Sequence, residues 1–194
     1  MTIITKDLLQ KFLLLAGDRL DGDWILIGGT ILPILNIDYR VTMDIDLIGK
    51  TEKQQSQNIE LMDIAIQLGL PVETINQAGS YFLSKIENFE NNLIEIYKGK
   101  GATIFRPDLF LFLKLKLARL NETDQMDCIE YIKYSKKNDQ IDHLLEDCVE
   151  LIEEQIQQNE QNRARSPKTK TRGTFEEIKR NIGHYQNSID VSNG

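Results

Sequence analysis

The sequence predicts an α+β protein, with short strands gathered before about Phe105 and helices after it. Three observations carry this. An apolar run, Trp24-Ile25-Leu26-Ile27, ends abruptly in Gly28-Gly29, the pattern of a buried strand meeting a tight turn. Within Thr42–Gly49, Asp44 and Asp46 alternate with the apolar Met43, Ile45 and Leu47, which is a strand signal. After Pro107 the texture changes, and residues 108–120 are apolar nearly all round, as in a helix buried on most of its surface.

The elements follow in order. Leu8, Leu9, Phe12, Leu13 and Ala16 are spaced for an amphipathic helix over residues 5–16, and Asp21-Gly22-Asp23 reads as a turn. A short helix is expected from Thr30 to about Leu35, with Pro33 tolerated in its first turn. The second strand is expected over Thr42–Gly49. Residues 52–68 read as one helix with Ile59, Met62, Ile66 and Ala65 facing inward, stopped by Gly69 and Pro71. Further strands are expected at Val72–Ile75, Tyr81–Leu83, Leu93–Tyr97 and Ala102–Phe105. Helices over about 124–136 and 139–158 complete a helical subdomain over residues 106–158. Residues 159–194 are expected to be a basic linker, with Arg163, Arg165, Lys168, Lys170 and Arg172, and then a short helix capped by Thr174 with Glu177.

Composition narrows the function classes. The 194 residues are 41% hydrophobic and 27% charged, with a net charge of -7, which argues against a chain that coats nucleic acid non-specifically. No run approaches the roughly 18 apolar residues a membrane span needs, so no membrane role is expected. The N-terminus lacks a secretory pattern. Cys128 and Cys148, the two cysteines, are far apart and read as buried inert thiols, and the expected compartment is a reducing cytoplasm. His143 and His184 lack metal-ligand spacing and read as surface residues.

The chemistry concentrates at two places. On a strand, Asp44 and Asp46 project to one face while Ile45 and Leu47 point into the core. Paired carboxylates repel unless water or a cation separates them, and magnesium suits such an oxygen pair. Two solvated aspartates on an exposed strand or turn are the structural alternative. Upstream, Gly28-Gly29 lets backbone N–H groups approach an anion, and Thr30 caps the following helix or donates its hydroxyl to a phosphate oxygen. A purely structural turn is the alternative there.

Gly28-Gly29-Thr30 followed by Arg40-Val41-Thr42-Met43-Asp44-Ile45-Asp46-Leu47 resembles the first signature of the polymerase-β-type nucleotidyltransferase superfamily, closest to its AbiEii-like toxin branch. Lys116-Leu117-Ala118-Arg119 with Asp124-Gln125-Met126-Asp127 is similar to a helix pair that follows the catalytic sheet in those relatives. The resemblance spans roughly residues 20–135. It implies a palm-like mixed sheet with flanking helices in residues 1–105, two magnesium ions, and an NTP as substrate. It also implies a third carboxylate on a later strand, for which Glu95, between Ile94 and Ile96, is the best match. The solvent face of an edge strand is the other reading of Glu95.

The reaction implied is transfer of a nucleoside monophosphate to a hydroxyl of RNA, such as a tRNA end, or of a partner protein, in a toxin–antitoxin or phage-defence setting. Asp44, Asp46 and Glu95 would hold metal; Gly28, Gly29, Thr30 and Arg40 would bind nucleotide. Lys116, set among Leu109, Phe112, Leu113 and Leu120, would neutralise charge developing in transfer, with Asp124 either orienting it or capping the next helix. Two rivals remain at this level. One is an inactive nucleotide-binding or antitoxin-type module with the same fold; the other is an RNA-binding adaptor acting through the basic tail.

Overall fold

The computed structural model describes residues 2–118, 121–138, 145–163 and 172–183. The chain divides into two compact units, Met1–Asp108 and Leu109–Gly194.

The first unit is built on a five-stranded mixed sheet. Its strands are β1 (Gly22–Leu26), β2 (Ile45–Gly49), β3 (Ile75–Asn76), β4 (Leu93–Lys98) and β5 (Ala102–Pro107), in the order β3-β2-β1-β5-β4. β1 runs antiparallel to β2 and parallel to β5, β3 runs parallel to β2, and β4 closes the far edge antiparallel to β5. This is the mixed sheet with flanking helices that the sequence predicts. Helix α1 (Lys6–Arg19) starts where Thr5 accepts from the Leu8 amide at 3.2 Å. Its Leu9, Phe12, Leu13 and Ala16 pack with Leu61, Ile64 and Ala65 of α4 (Asn58–Gln67) against one sheet face, formed by Trp24, Leu26, Ile45, Leu47, Ala102 and Ile104. Period-two alternation sends Ile25, Asp46 and Ile48 to the opposite face.

Several expectations change here. The helix expected over 52–68 is two: a short α3 (Glu52–Gln55) and α4. Gln57 breaks it, because its amide accepts from the Asp21 N–H at 2.9 Å and donates to the Asp21 carbonyl at 3.1 Å. The inward face is also corrected. Leu61, Ile64 and Ala65 are buried, Ala65 as expected, while Ile59, Met62 and Ile66 are exposed. Tyr81-Phe82-Leu83, expected as strand, lies in a one-turn helix α5 (Ser80–Leu83), and Val72–Thr74 is a 3-10 turn leading into β3. The short helix after the glycine turn is a 3-10 turn, Gly28–Thr30, running into α2 (Ile31–Ile34). β2 begins at Ile45, so Asp44 immediately precedes it.

The second unit is helical. It comprises α6 (Leu109–Leu117), α7 (Glu122–Lys137), α8 (Leu145–Arg163) and α9 (Arg172–Gly183). The terminal helix is part of this bundle: α9 packs on α7 and α8 through the buried Phe175, Ile178 and Ile182. It begins two residues before Thr174, so that residue is not its cap. Arg119, His143, His184, residues 139–144 and the middle of the basic stretch, 164–171, lie outside the described residues. No helix among the described residues is long and apolar enough to cross a membrane.

Candidate active site

β1 ends at Leu26 and the chain turns at Gly28, whose φ of +66° favours glycine. A Cβ on Gly28 would stand 2.1 Å from Asp46 Oδ2, so the absent side chain lets this carboxylate lie against the turn. Gly29 does the same for Arg40: a Cβ there would meet Arg40 Nη2 at 2.2 Å. The glycine turn, the guanidinium and the acidic strand therefore converge in the first unit.

Thr30 locks them together. Its hydroxyl donates to the Asp44 carbonyl at 3.0 Å and accepts from the Asp46 N–H at 3.0 Å. The Ile27 N–H donates to the Asp46 carbonyl at 2.9 Å, continuing the β1–β2 ladder beyond Leu26. Of the roles the sequence allowed Thr30, neither a helix-capping bond nor a phosphate contact is what its hydroxyl makes here. The side chain is fully buried and its one hydroxyl proton is used on the Asp44 carbonyl, so Thr30 positions the acidic segment. Arg40 is half-buried, its Nη1 donating to the Val41 carbonyl at 3.1 Å and its Nε to the Tyr39 hydroxyl at 3.2 Å.

Asp44 is exposed and Asp46 half-buried. Asp46 has a neighbour that the sequence reading missed. β2 and β3 pair Asp46 with Asn76, and Asn76 Nδ2 donates to Asp46 Oδ1 at 2.9 Å. Asn76 Oδ1 in turn accepts from the Ala78 N–H at 2.9 Å, which fixes the amide's orientation. The only sequence signal was an asparagine following the strand candidate Val72-Glu73-Thr74-Ile75, too common to single out.

Glu95 is not brought to the pair. It is exposed on the edge strand β4, and its row across the sheet runs through Phe105 and Ile25 to Ile48, not to Asp46. Three strand spacings put it roughly 14 Å away laterally, too far to share a cation. Alternation along β4 identifies an outward carboxylate, but only the strand order tells which strand it stands beside.

Lys116 lies in the second unit. Its Nζ donates to Asp124 Oδ1 at 2.9 Å and to Asp127 Oδ2 at 2.7 Å, and both aspartates are fully buried. Asp124 holds Lys116 and also closes the capping box of α7, whose N-cap is Asn121. While Oδ1 holds Lys116, Oδ2 accepts from the Asn121 N–H at 3.2 Å, and Asn121 Oδ1 accepts from the Asp124 N–H at 2.8 Å, a reciprocal cap on α7. Beside the triad, burial pushes the Cys128 thiol pKa far up, with Asp127 and Asp124 adding to the rise and Lys116 opposing it.

The donor set fits a hard divalent cation. Asp44 and Asp46 offer carboxylate oxygens, and the exposure of Asp44 leaves room for water and phosphate oxygens to complete the shell. Among the described residues no group of three or more acidic, His or Cys side chains is placed to hold a metal. The protein would thus contribute two carboxylates, with Asn76 in the neighbouring position.

A mixed sheet whose central strand ends in a glycine turn, with one aspartate on the adjacent strand and another immediately before it, fits the nucleotidyltransferase class. Residues 4–182 match the family described as "Nucleotidyltransferase of unknown function (DUF6036)", and the chain belongs to that family. Comparisons with curated proteins and with solved structures gave no match.

Proposed function

We propose that the chain is a magnesium-dependent nucleotidyltransferase that moves a nucleoside monophosphate from an NTP to an acceptor hydroxyl, with pyrophosphate leaving. The observation that carries this reading is the convergence of Gly28, Gly29, Arg40 and Asp46 in one corner of the sheet. Asp44 and Asp46 hold the cation, which neutralises the phosphates and orients the α-phosphorus for attack. Gly28 and Gly29 let the backbone approach the triphosphate, and Arg40 supplies a planar cationic donor beside them. Thr30 and Asn76 keep the acidic segment in register. Lys116, tied to two buried carboxylates, acts through the packing of the second unit. The likeness to the AbiEii-like branch extends the proposal to a toxin–antitoxin or phage-defence setting, with RNA or a partner protein as acceptor.

Purified protein with magnesium and labelled NTPs is expected to transfer label to one of these acceptors. Asp44→Asn and Asp46→Asn are each expected to abolish transfer, because an amide lacks the anionic oxygens that hold magnesium. A second reading is favoured by Asn76, since an amide occupies the position beside Asp46 where a further carboxylate would complete a two-ion site. It is an inactive nucleotide-binding or antitoxin-type module. Magnesium–NTP stabilisation of the fold without label transfer or pyrophosphate release would decide for that module. No stabilisation by any NTP would defeat both readings.

A further inference from the structure

We propose that Tyr81 and Phe82 form a base-stacking platform, with Lys85 as its phosphate contact, for a single-stranded nucleic-acid end that presents the acceptor hydroxyl. This rests on the transferase reading of the neighbouring carboxylates and names the acceptor class for it. The two rings are 61% and 52% exposed, although the next residue, Leu83, is buried and anchors the helical turn. They stand edge to face with centroids 5.5 Å apart, so they present two differently inclined apolar surfaces. Lys85 Nζ lies 3.9 Å from the Tyr81 ring centroid and donates to its hydroxyl at 2.6 Å. Adjacent exposed rings with a cation on one of them combine the two elements of single-strand recognition, a π-face for any base and a positive charge for the backbone. The flanking Ser84 and Lys85 are exposed and polar, and they confine the apolar surface to the rings. That suits a flat base better than an apolar peptide, which needs a longer groove.

Position links this surface to the carboxylates. Gly79, immediately before α5, would place a Cβ 2.2 Å from Ile27 Cδ1 and 3.2 Å from Ile48 Cδ1. Ile27 precedes the Gly28 turn, and Ile48 shares the sheet face of Asp46, two residues or roughly 6.6 Å along β2. The chain from Asn76, which holds Asp46, to Gly79 is itself fixed by the bond from Ala78 N–H to Asn76 Oδ1 at 2.9 Å. Gly79, from which the platform's helical turn springs, is therefore held on the sheet face that carries Asp46.

The test is fluorescence anisotropy with a short end-labelled single-stranded oligonucleotide, in chelator and without NTP, using the full chain. The double variant Tyr81→Ala/Phe82→Ala is expected to weaken binding roughly tenfold or more. Lys85→Ala is expected to weaken it less and to reduce the salt slope by about 0.7. Tyr81→Phe/Phe82→Trp, which keeps the stacking faces, is expected to bind like the parent. Unchanged affinity in the alanine variant overturns the platform. So does an equal loss in the Phe/Trp variant, or a loss of magnesium–NTP stabilisation with oligonucleotide binding intact, which would assign the rings to the nucleotide's own base. Because metal and NTP are absent, ring-dependent binding survives even if no transfer is ever observed, and that result would sink only the transferase reading.

Discussion

At φ +66° Gly28 holds a left-handed backbone conformation that costs a residue with a Cβ about 1–2 kcal/mol, and the Cβ would also strike Asp46 Oδ2. Gly28→Ala is therefore expected to lower stability by about 1–3 kcal/mol and to weaken magnesium–NTP binding by displacing the Asp46 carboxylate. Denaturant unfolding and calorimetric titration measure the two effects separately, and full retention of nucleotide binding would remove Gly28 from the site. This residue was legible in the sequence, because a glycine pair after an apolar run leaves few interpretations. Thr30 was half legible. Its place beside the turn could be read, but the bonds to Asp44 and Asp46 depend on β2 lying against β1, which a linear pattern does not contain. Asn76 was not legible at all, since its role exists only through the parallel register with Asp46.

Among the elements, strands with strong patterning were easier to read than faces. β1, β2, β4 and β5 are all anticipated to within a few residues by apolar runs or alternation. In α4, however, Ile59, Met62 and Ile66 make as good a helical stripe as Leu61, Ile64 and Ala65, and only the packing of α1 chooses between them. Three apolar residues such as Tyr81–Leu83 carry too little periodicity to separate a strand from a helical turn. In the α6–α7 pair, the residues singled out in the sequence meet: Lys116 pairs with Asp124 and Asp127. Removing the Lys116 ammonium breaks two ion pairs to fully buried carboxylates. Lys116→Ala is expected to destabilise the protein by about 3–5 kcal/mol. Lys114→Ala, on a half-buried side chain with its Nζ 5.6 Å from the Phe110 ring centroid, is expected to cost less than about 1 kcal/mol. Equal denaturation midpoints for the two variants would refute the structural reading of the triad.

Across the whole molecule, the two compact units happen to carry separate intrinsic labels. Trp24 is the chain's single tryptophan; it is fully buried in the first unit, its indole N–H donating to the Asp21 carbonyl at 3.2 Å. Both cysteines, Cys128 and Cys148, are fully buried in the second unit. Indole emission therefore reports on the sheet that bears the proposed nucleotide site, and thiol modification reports on the helical bundle. Magnesium with NTP at a hundredfold its dissociation constant stabilises whatever binds it by about 2.7 kcal/mol. The Trp24 transition is expected to move upward under those conditions by at least as much as the onset of thiol labelling. A shift seen by the thiols but not by the indole would place the ligand in the other unit. A chain with no residue substituted can thus say, through its own indole and its own thiols, which half has taken hold of the nucleotide.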